Sequence, residues 1–330
     1  MIQADVIIAG AGPAGSACAL ELKKYGIDAL ILDRQQFPRT KLCAGWITPK
    51  VLNDLELEPE GYPGGILTYR RIVFYLKGVA VPVATNQYSI RRKEFDHFLL
   101  KRSGAAICRH HIKDIRRENG KYIIDGAFAS TYLVGAGGTH CPVYKSLFAK
   151  NCPRDPGHCI ATVEEEFKWP YKDPQCRLWF FDHGLAGYAW YVPKQNGYLN
   201  IGIGGKLESL KRQGQTIKAH WNRFVKKLSQ KKLVSGRQFS PKGHLYYLRG
   251  KTCYPRCQNA FIIGDAAGLA TRDMGEGIGP AIESGKLAAR SIALNTSFSL
   301  DSVTKWSLPQ ILTSRLNKKN FRRKKTDQFS

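Results

Sequence analysis

Apolar residues along the chain fall into two kinds of pattern. ADVIIAG, residues 4 to 10, is a short continuous apolar run that ends in glycines, as expected of a strand buried on both faces. The loop and Ala-rich segment from Pro13 to Tyr25 predict a helix, and IDALILDR predicts a second buried strand ending at Asp33. Strand, glycine turn, helix, strand is the first unit of a doubly wound parallel sheet. A loop, FPRTKLCAGWITPKVL, follows, then strand-like residues from Ile72 to Val83. RRKEFDHFLLKR reads as a helix, with Phe95, Phe98 and Leu99 at spacings of three and four. Residues 105 to 134 read as several short strands ending in TYLVGAGG.

From about residue 155 to 205 the pattern changes to alternating, aromatic-rich strands: CRLWFF, YAWYVP and YLNIGIG. An amphipathic helix comes next, with Ile217, Trp221, Phe224, Val225 and Leu228 on its apolar face. The chain then returns to a strand, NAFIIG, a second glycine-rich stretch, GDAAGLATRDMGEGIG, and a helix in IGPAIESGKLAARSIAL. No internal repeat is present.

With 330 residues and 43% hydrophobic content the chain can bury one large core or two joined ones. The start, MIQADVIIAGAG, lacks the basic lead of a secretory signal. No run approaches the roughly 18 apolar residues of a membrane span. Nine scattered cysteines without framework or zinc spacing predict free thiols in a reducing cytoplasm, and no metal site. The formal charge of +25 is uneven. Residues 206 to 234 hold nine basic residues against Glu208 alone, and TSRLNKKNFRRKKTDQFS holds seven against one Asp. Such a balance favours nucleic acid, anionic lipid headgroups or phosphorylated substrates. Nucleic acid is disfavoured, because no recognition module or base-stacking platform accompanies the charge.

GAGPAG places Gly10, Gly12 and Gly15 at dinucleotide spacing, for a tight turn, a close pyrophosphate and a helix lying near its strand. Pro13 and Ala14 open the helix, whose free N–H groups and dipole favour a diphosphate. Asp33, at the end of the second strand, is placed to accept ribose hydroxyls. NAD would account for this loop but not for the second one, where Asp265 directly follows Gly264. An acid there suits a sugar-alcohol chain, and the longer FAD gives both loops a role.

In order along the chain, GAGPAG, the acid of LDR, KLCAGWITP, RRKEFD, VGAGG and GDAAG…GEGIGPAIESG resemble the aromatic-hydroxylase-like flavoproteins. YAWYVPK before NIGIG is most similar to their geranylgeranyl reductase branch. The resemblance covers residues 1 to about 294. It implies an α/β fold: a discontinuous Rossmann-like FAD-binding domain, 1–154 and 250–300, with an inserted mainly antiparallel β-sheet substrate domain, 155–249, and a basic tail, 301–330. By the same matching Arg34, Arg92, Gly135, Ala136 and the backbone of Lys41, Leu42 and Cys43 contact the flavin nucleotide. Asp265 holds the ribityl chain, and Gly275, Gly277 and Ile278 lie by the isoalloxazine. Three departures stand out. Gly137 replaces an acid associated with FAD and NAD(P)H contacts, Arg272 stands where a proline is common, and the basic tail replaces a C-terminal helical extension.

Tyr188, Trp190 and Pro193 are candidates for lining a lipophilic substrate pocket, set against ordinary packing in a sheet core. Cys43 is the one weak catalytic candidate, set against a small buried hydrophobe. His110 and His111 point to opposite faces of a strand and read as surface residues. Glu164 to Glu166 read as a solvated strand end. The lysines around Trp221 either extend into water or meet an anionic membrane.

The sequence thus points to an FAD-dependent oxidoreductase, cytoplasmic or peripheral at the inner membrane face. The expected reaction is reduction of a carbon–carbon double bond in an isoprenoid or other apolar substrate, with NAD(P)H or a reduced redox protein as electron donor. Two alternatives stay open. One is a flavin monooxygenase or halogenase, since YAWYVP distantly resembles the halogenase Trp-x-Trp-x-Ile-Pro segment. The other is a non-catalytic flavin-binding protein at a membrane surface.

Overall fold

The computed structural model describes residues 1–250 and 254–314. It opens with β1 (Ile2–Ala9), α1 (Pro13–Lys24) and β2 (Ala29–Asp33). Next come β3 (Trp46–Ile47), α2 (Pro49–Asp54), β4 (Leu67–Leu76), β5 (Val79–Ser89) and α3 (Arg92–Ser103). β6 (Ala106–Arg109), β7 (Ile115–Glu118), β8 (Lys121–Ile124) and β9 (Phe128–Gly135) follow. β10 (Cys159–Lys168), β11 (Cys176–Phe180), β12 (Gly187–Lys194) and β13 (Tyr198–Lys206) precede α4 (Leu207–Arg212) and α5 (Ile217–Gln230). The remainder is β14 (Lys242–Tyr247), β15 (Arg256–Cys257), β16 (Ala260–Ile262), α6 (Ile278–Ala293) and α7 (Leu308–Thr313).

These elements form two compact units. Met1–Lys41, Arg92–His158 and Tyr246–Lys305 make the first; Leu42–Arg91, Cys159–Leu245 and the chain from Trp306 make the second. The sequence-based boundary is therefore corrected. Leu42–Arg91, expected in the FAD-binding domain, folds with the second unit because β4 pairs with β11 along Ile72–Leu76.

In the first unit the strand order is β15-β16-β9-β1-β2-β6, with β7 and β8 forming an antiparallel extension beside β9. Val6, Ile8, Ile31 and Val134 pack with α1 and α6 on one face, and Ile7, Leu32 and Leu133 with Tyr122, Val143 and Phe148 on the other. Both faces are covered, which is why these strands read as unbroken apolar runs. The chain leaves β1 for β2 on one side and returns through β9 on the other, so a topological switch point lies between β1 and β9.

The sheet of the second unit is mainly antiparallel, in the order β14-β10-β13-β12-β11-β4-β5-β3. One face, carrying Trp179, Ala189, Tyr191, Leu199, Ile201 and Ile203, is covered by Trp221, Phe224 and Leu228 of α5. Ile217 and Val225 complete the apolar side of that helix, as its spacing predicts, and the Thr216 hydroxyl caps it by accepting from Ala219 N. The strand-like run Ile72–Val83 is in fact the tip of a hairpin. It turns at Lys77 and Gly78, both at positive φ (48° and 85°), as a two-residue type I′ turn requires.

Two further expectations change. The start of the expected tail is folded: Asp301–Lys305 belongs to the first unit, and Thr85 Oγ1 donates to Ile311 O at 2.6 Å in the second. The basic residues after Ser314 lie outside the described residues, as does Cys253. Cys152 is disulfide-bonded, so free thiols throughout are not found; spatial placement decides bridging, and sequence spacing does not reveal it. Among the described residues no helix is long and apolar enough to cross a membrane.

Candidate functional site

Three glycine-containing loops leave the carboxyl ends of adjacent parallel strands in the first unit. Ala9 pairs with Gly135, and Gly135 with Ile262, so the loops at Gly10–Gly15, Gly135–Gly138 and Gly264–Gly268 stand side by side. Gly10 has φ of 116°, and a Cβ there would lie 2.5 Å from Ala136 O. A Cβ on Gly15 would lie 2.0 Å from Gly10 O, so the first turn of α1 closes directly on the loop. Gly12 differs: within 4 Å its Cβ would meet only Arg39 Nη2, at 3.6 Å. No side chain caps α1 at Gly12, which leaves its first-turn N–H groups to a ligand.

Asp33 has a structural duty besides any ligand contact. Its Oδ2 accepts from Ala11 N at 2.9 Å and its Oδ1 from Gln35 N at 2.8 Å, fixing the first loop to the end of β2. Arg34 beside it is exposed, and Lys41 is half-buried. Arg92 is bound bidentately by Asp96 at 2.7 and 2.9 Å, one turn along α3. Arg39 joins them, 3.3 Å from Asp96 Oδ2, with its guanidinium over the Phe37 ring. Burial lowers the Arg39 pKa, and Asp96 opposes that shift. Arg39 is thus the cation beside Gly12, a residue that motif spacing did not single out.

In the second loop, Asp265 is half-buried, and its Oδ1 lies 3.3 Å from where a Cβ on Gly277 would be. Ile278 is buried at the start of α6, where Glu276 Oε1 accepts from Gly279 N at 2.6 Å. Gly275 has φ of 62° and is pressed by Tyr246, whose Oη would lie 2.3 Å from a Cβ. Arg154, also missed from sequence, links two loops. It donates to Ala266 O at 2.8 Å, to Asp265 O at 3.3 Å and to Thr139 O, with its guanidinium 3.9 Å from the Tyr144 ring centroid. A cavity of about 450 Å³ adjoins it, sharing Ala266–Gly268 with the second loop but none of the first-loop glycines.

The departures have local explanations. A side chain at Gly137 would stand 3.1 Å from Cys141 Cα, so this loop is packed for glycine. Arg272 is exposed, and its guanidinium donates to the carbonyls of Arg249 at 3.0 Å and Gly250 at 3.3 Å. It serves the backbone of those residues.

The second unit offers an aromatic shelf. Cross-strand partners share a face, so Phe74, Leu178, Trp190, Gly202 and Glu164 form one row, and Leu76, Phe180, Tyr188 and Gly204 the next. This face is opposite the one under α5. The Trp190 indole lies over Gly202, where a Cβ would be 2.2 Å from the ring, and its Nε1 donates to Asn200 Oδ1 at 2.7 Å. The glycines of NIGIG thus leave room for that ring. Pro193 is separated from Tyr188 and Trp190: alternation turns it to the Tyr191 face, and its carbonyl accepts from Ser89 Oγ at 2.8 Å and from Tyr69.

Further along the shelf face lies a polar cluster. Lys194 is fully buried, with Nζ 2.6 Å from Glu166 Oε2, while Arg91 Nε donates to Glu166 Oε1 at 2.9 Å. Burial pushes the Glu166 carboxyl up, but Lys194 and Arg91 more than offset this and hold it below the usual glutamate range. Glu165 binds Arg237, and Glu164 is only 2% exposed. Glu164–Glu166 is therefore no solvated strand end, because strands pair on both sides of β10. Lys194 Nζ also lies 2.6 Å from where a Cβ on Gly45 would be, so Lys194 backs the turn that carries Cys43. Gly45 N donates to Cys43 Sγ at 3.3 Å, and Leu42 beside it is half-buried.

Comparison with known proteins places the chain. A family model described as an FAD binding domain matches residues 3–55. An uncharacterized protein of Methanosarcina barkeri is 31% identical over 310 residues, which cover 89% of this chain and 75% of that one. A menaquinone reductase of Mycobacterium tuberculosis is 26% identical over 314 residues, covering 87% of this chain and 76% of its own. Digeranylgeranylglycerophospholipid reductase 2 of Methanosphaera stadtmanae is 25% identical over 313 residues, covering 87% and 77%. The chain belongs to the geranylgeranyl reductase family of FAD-dependent oxidoreductases. A geranylgeranyl bacteriochlorophyll reductase-like structure from Thermoplasma acidophilum shares the fold, with a TM-score of 0.76 and 18% identity over 100% of this chain and 84% of that one. The protein is accordingly an enzyme with FAD as cofactor, which sets aside the alternative of a non-catalytic flavin-binding protein. The geometry fits that cofactor: Gly12 is open on its outer side, Arg39 faces it, and Asp265 stands at the head of the second loop.

Proposed function

We propose that this flavoenzyme reduces carbon–carbon double bonds in the isoprenoid chain of a lipid or quinone. The shelf of Phe74, Phe180, Tyr188 and Trp190 supports this reading most directly. Phe180 and Tyr188 are half-buried, Phe74 and Trp190 are buried, and Gly202 and Gly204 leave room for the Trp190 ring, an aromatic lining that suits a long apolar chain better than a small polar substrate. Relatives named for reduction of digeranylgeranylglycerophospholipid and menaquinone support the same substrate class.

Bound FAD would supply the two-electron chemistry: reduced by hydride from a nicotinamide, or by electrons from a redox protein with protons from solvent, it would give a hydride to an alkene carbon. The remaining work falls to the chain. In this reading Gly10, Gly12, Pro13, Ala14, Gly15 and Arg39 hold the diphosphate, while Asp33 and Arg34 meet the adenosine ribose. Lys41, Arg92, Gly135 and Ala136 frame the nucleotide; Gly264 and Asp265 hold the ribityl chain; Gly275, Gly277 and Ile278 border the ring. Tyr188 and Trp190 exclude water and orient the alkene. The second alkene carbon also takes up a proton, from a protic side chain or a water molecule.

The test is anaerobic turnover of purified FAD-loaded protein with dithionite or NAD(P)H and a polyprenyl lipid extract, followed by mass spectrometry. A gain of two hydrogens per double bond is expected. Product that forms only with oxygen overturns the proposal in favour of monooxygenase or halogenase chemistry.

A further inference from the structure

We propose that the second unit carries a membrane-docking tip, in which the β4–β5 hairpin and the β11–β12 turn enter the surface of an anionic lipid bilayer. Four large apolar side chains are exposed close together in the sheet: Leu76 at 43%, Val79 at 64%, Val81 at 41% and Phe181 at 66%. The pairing register groups them. Leu76 pairs with Val79 across the hairpin turn, and Phe180, the partner of Leu76 on the other side, immediately precedes Phe181. Phe181 also has φ of 55°, followed by His183 at 51° and Gly184 at 77°. A bulky aromatic in that backbone region is an outlier, and here it holds a ring out into solvent.

Positive charge borders this apolar tip. Lys77 sits in the hairpin turn, Lys227 of α5 binds Asp182 next to Phe181, and Lys231 Nζ lies 5.4 Å from the Tyr75 ring centroid. Lys218, Arg223, Lys226, Lys231 and Lys232 are exposed, and Glu208 is the one acidic residue between positions 206 and 234. Protruding apolar side chains rimmed by Lys and Arg are the chemistry of an interfacial anchor: the apolar groups leave water while the cations meet anionic headgroups. An acidic soluble protein would match the charge but leave the exposed apolar cluster unexplained. The aromatic rings run inward from the tip, with centroids 6.3 Å apart from Phe181 to Phe180, 5.2 Å from Phe180 to Tyr188 and 5.8 Å from Tyr188 to Trp190. Delivery of substrate from bilayer to shelf rests on the function proposed above; the docking surface itself does not.

The experiment is co-sedimentation of the full FAD-loaded chain with vesicles of phosphatidylcholine containing about one third phosphatidylglycerol, and with phosphatidylcholine alone. Wild type is expected to bind the anionic vesicles preferentially. Val79→Asp combined with Phe181→Asp should weaken binding by about tenfold or more, since each side chain contributes by leaving water. Lys231→Glu with Lys232→Glu should remove the preference for anionic lipid. Flavin absorbance and melting midpoint of each variant check that it is folded. Failure of wild type to bind either vesicle overturns the proposal. So does anionic binding that ignores the apolar substitutions, and so does solution dimerisation of wild type that those substitutions abolish, which would make a second copy the occupant. Turnover on detergent-dispersed substrate tests alkene reduction separately, so failure of one reading is distinguishable from failure of the other.

Discussion

The Cβ of Ala14 lies 3.1 Å from the position a side chain on Gly264 would occupy, which brings the first turn of α1 against the head of the second glycine loop. The contact continues along the helices, where a Cβ on Gly285 would stand 2.4 Å from Ala14 O. Two loops separated by roughly 250 residues thus share one end of one sheet. A dinucleotide longer than NAD has use for both, and FAD is that dinucleotide here.

The glycines of the first loop should separate by experiment. Gly10 needs positive φ and close approach to Ala136 O, so Gly10→Ala is expected to lower the melting midpoint strongly or prevent soluble expression. Gly12 has space for a methyl group next to Arg39. Gly12→Ala should therefore keep the fold within about 1 kcal/mol while FAD retention drops, because the methyl group occupies the diphosphate approach. Thermal melts together with flavin absorbance per protein decide this. Full FAD content in Gly12→Ala would refute the assigned role.

Arg154 is the next test. Its guanidinium serves carbonyls of Thr139, Asp265 and Ala266 between two tyrosine rings, a job that shape-similar methionine cannot perform. Arg154→Met should destabilise the protein by about 2–4 kcal/mol, from the loss of charge-assisted bonds to partly buried acceptors. FAD affinity should fall with it, since the second loop loses its tie to Thr139. Denaturant unfolding and FAD titration of the apoprotein measure the two effects.

Much of this was legible in the sequence, for identifiable reasons. Buried parallel strands announce themselves as ADVIIAG or IDALILDR because both faces are covered. The helix at Ile217–Gln230 announces itself because only one face is. What sequence does not show is partnership at a distance. Leu42–Arg91 joined the second unit through pairing with β11, which no local pattern reports. The ion pair of Arg92 with Asp96, four residues later, is a contact that the spacing could have revealed. Arg39 and Arg154 carry no motif at all. The resemblance groups Pro193 with Tyr188 and Trp190, whereas strand alternation sets it on the other face.

The shelf predicts a specific sensitivity to small residues. A Cβ on Gly202 would lie 2.2 Å from the Trp190 ring and 2.7 Å from Glu164 Cβ, so Gly202→Ala must displace one of them. A stability loss of about 1–3 kcal/mol is expected from the overpacking. The same substitution should raise KM for an apolar substrate, with FAD content unchanged, because the residues a Cβ there would press, Trp190 and Glu164, are not among those assigned to the flavin. Gly204→Ala, where the nearest atom to a Cβ would be Thr162 Cγ2 at 3.0 Å, should be milder on both counts. Equal effects at the two glycines would argue against Trp190 as the sensitive element.

The cluster of Lys194, Glu166 and Arg91 gives the protein a defined acid sensitivity. Its folded-state carboxyl lies below the ordinary glutamate value of 4.5, because Lys194 and Arg91 outweigh the cost of burial. Well above pH 4.5 Glu166 is ionised in both folded and unfolded chains, and its full contribution is present. As pH falls below that value the unfolded chain takes up the proton first, so this stability drains away until the folded carboxyl protonates as well. Glu166→Gln should remove that part of the pH dependence, giving a flatter melting midpoint against pH on the acid side and lower stability at neutral pH. Lys194→Met should cost about 3 kcal/mol at neutral pH, since Arg91 alone then balances a partly buried charge. It should also loosen the Gly45 turn that Lys194 backs, and the rate at which iodoacetamide labels Cys43 in the folded protein reads this directly. Parallel acid slopes in wild type and Glu166→Gln, with unchanged Cys43 labelling in Lys194→Met, would show that the cluster neither senses protons nor supports that turn.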